Sequence, residues 1–147
     1  LQRREVRAPF VTIVVTVFNY ERYVADCLQS IVAQTYRNFK CLVVDDCSSD
    51  RSVEVIEKFI AERQLGERFT LIRHETNQGQ MAGFKTGCER AEGEFVVYVD
   101  ADDLLLPDFL VGHLAVHLGE MPVAFTSSDQ YQINEAGEVI AGRHSDL

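Results

Sequence analysis

The sequence is short of basic residues, with 14 Lys and Arg against 23 Asp and Glu and a formal net charge of −9. A protein that binds nucleic acid neutralises phosphates with Lys and Arg, so this deficit argues against a nucleic-acid partner. Acidic residues spread evenly over a surface would only aid solubility. The placement of the acids along the chain therefore decides whether they point to a function.

The sequence also lacks membrane segments and closely paired cysteines. No apolar run is long enough to span a bilayer, and the opening LQRREVRAPF has no apolar signal region. The four cysteines, at positions 27, 41, 47 and 88, form no C-x-x-C pair, which argues against a zinc site. We therefore expect free, buried thiols and a cytoplasmic location, at the inner face of the membrane if chain beyond this sequence attaches there.

Apolar runs with strand character alternate with segments of helical periodicity. Strands are predicted at 11–18, 39–46, 69–74, 94–100 and 123–133, with a turn at 134–137 and a weak strand near 139; helices are predicted at 23–33, 53–60, 81–91 and 107–118. This order predicts an α/β fold, a three-layer α/β/α sandwich with a mostly parallel sheet. Residues 1–9 would form an N-terminal extension and residues 10–147 one domain.

Polar side chains collect where the predicted strands end, namely Asn19, Asp45, Asp46, Asp100, Asp102 and Asp103. The carboxyl ends of parallel strands meet at one rim of a sheet, where ligands of such folds bind. Five carboxylates at one rim repel one another, and oxygen-rich clusters suit Mg²⁺ or Mn²⁺. The alternative for Asp102 and Asp103 is that they cap the helix that follows.

Two blocks of this sequence resemble family 2 glycosyltransferases. They are VTIVVTVFNYERYVADCLQSIVAQTYRNFKCLVVDDCSSDRS and NQG followed by GCERAEGEFVVYVDADDLLLPDFL, and the resemblance covers roughly residues 10–130. It implies a GT-A fold and transfer of a sugar, with inversion, from a nucleotide-diphospho-sugar to an acceptor hydroxyl. A UDP-sugar donor, a divalent metal and a glycan or lipid-linked acceptor of polysaccharide biosynthesis are the implied partners.

The resemblance assigns the nucleotide to the ends of the first two strands. Thr16, Phe18 and Asn19 match the segment that meets the base, and the Phe18 ring would stack on it unless it packs in the core. Asp45 matches the acid that hydrogen-bonds the base, and Asp46 its neighbour near the ribose. Either acid would alternatively cap the second helix.

The end of the fourth strand matches the donor-sugar and metal positions. Asp100 matches the acid near the ribose and the sugar, Asp102 the metal-binding acid of a D-x-D motif, and Asp103 the residue that supports it or shares the ion. Phe84 and Lys85 stand where many relatives carry an Arg-Asn pair. Lys85 is interpreted as a solvated lysine, with a phosphate contact as the alternative.

The sequence stops where relatives continue into an acceptor-binding half, which usually supplies the general base. We leave the base unassigned and expect it beyond Leu147. The alternative function is a non-catalytic nucleotide-sugar-binding domain or a donor-binding fragment of a larger enzyme that is inactive alone. A phosphorylation receiver domain is disfavoured because a full βα unit precedes the acidic pair, and a dinucleotide-dependent oxidoreductase because no G-x-G-x-x-G follows the first strand. His74, at the end of the third strand, is expected to close the sheet's rim.

Overall fold

The computed structural model describes residues 8–142, which form two compact units, the first ending at Phe109 and the second beginning at Leu110. Of the expected N-terminal extension only Ala8 and Pro9 are described. Their carbonyl oxygens accept hydrogen bonds from Nδ2 of Asn38, at 2.9 and 3.0 Å. The rest of the extension, residues 1–7, lies outside the described residues, as do residues 143–147.

Four parallel strands build the first unit, in the order β3-β2-β1-β4. Helices connect consecutive strands, as the alternating sequence pattern predicts. The elements are β1 (Val11–Val17), α1 (Val24–Val32), β2 (Phe39–Asp45), α2 (Ser52–Glu62), β3 (Phe69–Arg73), α3 (Gln80–Glu89) and β4 (Phe95–Asp100). The predicted α/β class and parallel sheet are confirmed.

The two central strands form the core because both of their faces are covered. All seven residues of β1 are buried, and so are all but one of β2. Such strands carry continuous β-branched and apolar runs instead of alternating ones. The outer strands are less covered, and the ring of Tyr98 on the outer strand β4 is 48% exposed.

The helices lie on both faces of the sheet. Right-handed crossovers from β1 to β2 to β3 place α1 and α2, which contact each other, on one face. The return from β3 to β4 places α3 on the other face, where it packs against β1 and β2. Gly83 and Gly87 allow this close approach, since they lie directly against Thr16 and Val14. The three-layer arrangement is therefore confirmed.

The predicted fifth parallel strand at residues 123–133 is wrong. The helix α4 (Phe109–His117) begins at the last residue of the first unit and otherwise lies in the second. The second unit also contains a two-stranded antiparallel sheet of β5 (Gln132–Ile133) and β6 (Val139–Ala141). Most of residues 123–131 are exposed and form no ladder. Strand propensity takes effect only where a neighbouring strand provides pairing and burial. The turn predicted at 134–137 is confirmed, with Gly137 at φ +79°.

The four cysteines are free thiols, as expected. Cys27 and Cys41 are buried, but Cys47 and Cys88 are exposed, so the expectation of burial is wrong for the second pair. Burial, together with the negative charges of the acids after β4, raises the pKa of the Cys27 thiol to about 12. No helix among residues 8–142 is both long and apolar enough to cross a membrane.

The packing of α3 on β1 generates a stability prediction. A Cβ at position 87 would lie 2.2 Å from Cγ1 of Val14, which has no room to move in the buried centre of the sheet. We expect Gly87→Ala to lower the free energy of unfolding by about 1–3 kcal/mol through overpacking. Denaturant titration of this variant beside Gly66→Ala, whose new methyl group meets nothing within 4 Å, is the measurement. Equal stability of the two variants would contradict the close packing of α3.

Candidate functional site

The carboxyl ends of β1 and β4 meet where the strand order reverses, which is the usual ligand position in open parallel sheets. Thr16 and Asp100 are direct register partners there, and Val17 is the partner of Asp45 on the other side. The Thr16 hydroxyl donates a hydrogen bond to Oδ1 of Asp100 at 3.2 Å. Parallel pairing of β1 with β2 and β4 therefore places Asp45 and Asp100, which lie 55 positions apart in the sequence, at the same rim.

Asp45 is a buried carboxylate with one unused oxygen. The residue is 1% exposed; its Oδ2 accepts the Ser48 N–H at 3.1 Å, whereas its Oδ1 is buried without a hydrogen-bond partner. An unsatisfied buried acceptor costs stability and is rare in folded proteins. A ligand N–H that reached this oxygen would remove the cost. The structure thus favours Asp45 as a ligand acceptor, and α2, which begins seven residues later, receives no cap from it.

Asp46, next in the chain, has both oxygens occupied by the protein. They accept the Gln78 N–H at 2.9 and 3.1 Å and the Gly79 N–H at 2.6 Å, and Oδ1 lies 2.7 Å from Nδ1 of His74. Burial by itself would raise the pKa of this carboxyl, but the two N–H donors and His74 outweigh it and the pKa lies below its ordinary value. The alternative that Asp46 caps α2 is wrong, because Asp46 instead accepts amides at the start of α3.

Asn19 and Phe18 occupy the turn after β1. Asn19 has the left-handed φ of 59°, and its Oδ1 accepts the N–H groups of Ser49 at 2.8 Å and Asp50 at 3.3 Å. Asn19 thereby joins the β1–α1 turn to the loop after β2. Phe18 is 44% exposed, so the core-packing alternative is wrong and its ring is accessible to a ligand.

The acids after β4 stand at the open end of the site. Asp102 and Asp103 are exposed, and α4 begins only at Phe109, so the capping alternative for both is wrong. Partial burial and then the negative charges of Asp102 and Asp100 raise the pKa of Asp103 above its ordinary value. These three carboxylates are therefore close enough to repel one another, and a cation would relieve the repulsion.

Two contacts of these acids are not evident in the sequence. Nε2 of Gln80, the first residue of α3, donates to Oδ1 of Asp100. The Tyr20 side chain lies near the acids after β4, and burial, followed by the negative charges of Asp102 and Asp100, raises the pKa of Tyr20. Tyr20 lies within the segment FNYERY and Gln80 ends the segment ETNQGQ; the polar composition of these two rim segments is the one signal that could have pointed to them.

The Arg-Asn position of many relatives is occupied differently here. The Phe84 ring packs edge-on against Tyr98, with 4.9 Å between ring centroids. The Lys85 side chain is 76% exposed and its Nζ lies 3.8 Å from the Glu89 carboxylate one helical turn away. The interpretation of Lys85 as a solvated lysine is confirmed.

The acids fit a metal only in part. Among residues 8–142 no group of three or more His, Cys, Asp or Glu side chains could hold a metal ion by itself. Mg²⁺ commonly takes one or two carboxylates and completes its octahedral shell with phosphate oxygens and water. Asp102 and Asp103, adjacent and exposed, provide oxygen ligands of that kind. The donor set therefore fits an ion that a diphosphate helps to bind.

Comparison with known proteins identifies the family. The profile of glycosyl transferase family 2 matches residues 12–143, so the chain belongs to this family. It is 34% identical over 126 residues to the glycosyltransferase GlyA of Streptococcus pneumoniae serotype 4, which covers 86% of this chain and 17% of GlyA. It is 32% identical over 96 residues to the glycosyltransferase GlyG of the same organism, covering 65% of this chain and 31% of GlyG.

Solved structures of glycosyltransferases share the fold. A fragment of S. aureus TarS in complex with UDP-GlcNAc is 31% identical with a TM-score of 0.66, and the match covers 74% of this chain and 31% of that one. The mannosyltransferase PcManGT from Pyrobaculum calidifontis, in complex with GDP-Man and Mn²⁺, is 26% identical with a TM-score of 0.72, covering 78% and 34%. The expected GT-A fold is confirmed, and the chain spans about a third or less of these proteins.

The occupied carboxylate of Asp46 generates a prediction about pH and stability. Because its pKa is lowered on folding, Asp46 contributes stability that is present above its unfolded pKa near 4 and is lost as the pH falls through the folded value. Asp46→Ala should lower the free energy of unfolding at pH 7 by about 2–4 kcal/mol, since two amide donors lose their acceptor. Denaturant titrations between pH 7 and pH 3 measure both effects.

The difference between the natural protein and Asp46→Ala should shrink below about pH 4. Glu57→Ala, which removes an exposed carboxylate from α2, is the matched control and should change stability by less than about 0.5 kcal/mol. If the free energies of unfolding of Asp46→Ala and the natural protein differed by the same amount at every pH, the hydrogen bonds to the ionised Asp46 carboxylate would not be the cause.

Proposed function

We propose that this chain is the donor-binding part of a glycosyltransferase that uses a nucleotide-diphospho-sugar and a divalent metal. The observation that carries the proposal is the buried, unpartnered Oδ1 of Asp45 beside the Thr16–Asp100 pair at the strand ends of a family 2 chain. Relatives of the same fold bind UDP-GlcNAc or GDP-Man. Because the chain spans a minor part of its relatives, the reaction of the whole protein is included in this proposal.

The nucleotide lies, in this proposal, across the ends of β1 and β2. The Asp45 Oδ1 accepts a ring N–H of the base, which both uracil and guanine offer, and the exposed Phe18 ring covers the base from one side. Thr16 and Asn19 position the residues that line the site: Thr16 hydrogen-bonds Asp100, and Asn19 hydrogen-bonds the loop after β2. Asp100 is the acid assigned to the ribose and donor-sugar side, whereas Asp46, whose two oxygens accept protein amides, contacts no donor atom in this proposal. We favour UDP because of the resemblance and the TarS complexes.

The diphosphate lies toward Asp102 and Asp103. Carboxylates repel a diphosphate, so an ion that both share reverses the sign of the local interaction. Mg²⁺ and Mn²⁺ both suit such oxygen ligands, and the PcManGT structure contains Mn²⁺. When bound, the ion acts as a Lewis acid on the phosphate oxygens. Asp102 would bind it, with Tyr20 beside it.

Transfer breaks the bond between the anomeric carbon and the β-phosphate oxygen, forms a bond to the acceptor oxygen and passes the proton of the acceptor hydroxyl to a general base. Negative charge develops on the departing diphosphate, and an ion held by Asp102 and Asp103 would supply positive charge that stabilises it. Inversion at the anomeric carbon, a glycan or lipid-linked acceptor and a general base beyond Leu147 remain predictions. A non-catalytic sugar-nucleotide-binding role is separated from this proposal by assay of sugar transfer or donor hydrolysis.

The unused oxygen of Asp45 predicts that a substitution there weakens UDP binding with little loss of stability. In Asp45→Asn an amide replaces an acceptor, so UDP affinity should fall about tenfold or more. Stability should not fall by more than about 0.5 kcal/mol, because the carboxylate oxygen is unpartnered without ligand. Calorimetry with UDP and thermal unfolding of the same samples check both, with Glu57→Gln as the control of equal charge change. Unchanged affinity would remove Asp45 from the site.

The metal role of Asp102 predicts a dependence on Mn²⁺. UDP should bind the natural protein more tightly with Mn²⁺ than with EDTA, and Asp102→Asn should abolish this gain while leaving metal-free affinity within about twofold. Calorimetric titration with UDP in both conditions, with Glu57→Gln as control, measures the effect. Equal UDP affinity of the natural protein with and without Mn²⁺ would refute the metal bridge. Unfolding of Asp102→Asn would indicate a structural role.

A further inference from the structure

The segment of residues 74–80, which we name the rim strap, joins the end of β3 to the start of α3 and contacts the ends of β2 and β4. Its first residue, His74, donates its N–H to the Asp45 carbonyl at 2.9 Å. Its last residue, Gln80, donates its side-chain amide to Asp100 at the end of β4. Since the strand order is β3-β2-β1-β4, the rim strap reaches from one outer strand to the other across the candidate site.

Asp46 fixes the middle of the rim strap. The N–H groups of Gln78 and Gly79 converge on its two oxygens at 2.6–3.1 Å, and Gly79 takes a positive φ of 86° that suits glycine. Asp46 is 3% exposed, and these contacts use both oxygens. A carboxylate that is buried and engaged in this way positions backbone, and it has little capacity left for a ribose hydroxyl.

His74 bridges Asp46 to the helix behind the rim strap. Its Nδ1 lies 2.7 Å from Oδ1 of Asp46 and its Nε2 lies 2.9 Å from the Thr86 hydroxyl, and only 8% of its side chain is exposed. In the neutral ring, Nδ1–H donates to the carboxylate and Nε2 accepts from the hydroxyl; in the charged ring, both nitrogens donate. The contact with Asp46 is therefore available in either protonation state.

We propose that His74 is a positioning residue for donor binding: through Asp46 it holds the rim strap in place, and the rim strap in turn holds Gln80 against Asp100. The proposal rests on the proposed function for its ligand and assigns Asp46 to the rim strap instead of the ribose. Oδ1 of Asp100 accepts hydrogen bonds from both Gln80 and Thr16. These two bonds fix the orientation of the carboxylate and thereby the direction in which its Oδ2 points. Loss of His74 would release the rim strap and let Asp100 turn, although neither His74 nor Asp46 touches the donor.

The two ring nitrogens of His74 can be separated by substitution. In His74→Asn the side-chain amide replaces the Nδ1 donor and keeps the contact with Asp46. In His74→Gln the longer side chain places its amide where Nε2 lies and keeps the contact with Thr86 only. A residue that merely fills the rim would respond to the lost ring volume in both variants, whereas a positioning residue would be rescued by Asn and not by Gln.

The test measures UDP affinity in the presence of Mn²⁺ by calorimetry and amide hydrogen exchange at Gln78 and Gly79 for the natural protein, His74→Asn and His74→Gln. We expect His74→Asn to retain amide protection and to bind UDP within about threefold of the natural protein. We expect His74→Gln to lose protection at both amides and to bind about tenfold more weakly. Equal affinity of the two variants, or protection that survives in His74→Gln, would overturn the proposal.

Gln80→Ala tests the second link, from the rim strap to Asp100. It should weaken UDP binding while the amides of Gln78 and Gly79 stay protected, because their contacts with Asp46 remain. Unchanged affinity in Gln80→Ala would overturn this link. If the natural protein itself binds no nucleotide, the proposed function fails and the role in affinity fails with it, whereas exchange at the two amides still decides whether His74 holds the rim strap.

Discussion

Parallel pairing of β1 with both β2 and β4 is the constraint on which the rest of the structure depends. It places Thr16 beside Asp100 and Val17 beside Asp45, so that residues remote in sequence share one rim. Both central strands must be apolar on both faces to sustain this pairing, and that leaves their ends as the first positions where polar groups are tolerated. The core and the candidate site are therefore two consequences of one arrangement of strands.

The acids at this rim differ in how far the protein compensates their charge. Asp46 is fully engaged by two backbone amides and His74, and its pKa is lowered. Asp45 is engaged at one oxygen only. Burial and the negative charges of Asp102 and Asp100 raise the pKa of Asp103. The negative charge of these acids is thus compensated most at the end of β2 and least after β4. This order separates an acid that supports the structure from the acids that we propose bind the nucleotide base and a metal ion.

The sequence predicts the parallel sheet and the position of the site because both follow from local patterns. Buried runs and helical periodicity are read within each segment, and the acids lie at the ends of those runs. The failures concern partners that are distant in sequence. The fit of Asp46 to the Gln78 and Gly79 amides spans more than 30 positions, and within residues 8–142 the part of the predicted strand at 123–131 pairs with no neighbouring strand. Local secondary-structure propensity could indicate neither the contacts of Asp46 nor the missing strand partner.

The exchange of an Arg-Asn pair for Phe84 and Lys85 fits the charge pattern of the rim. Phe84 packs against Tyr98, and Lys85 faces solvent with its charge paired to Glu89, so neither supplies an uncompensated positive charge. With 23 acidic residues against 14 basic ones, the chain as a whole supplies no excess of cations either. In the proposed function, the attraction of a diphosphate to this rim would depend on an ion held by Asp102 and Asp103, and metal dependence is therefore a physical requirement of the proposed chemistry.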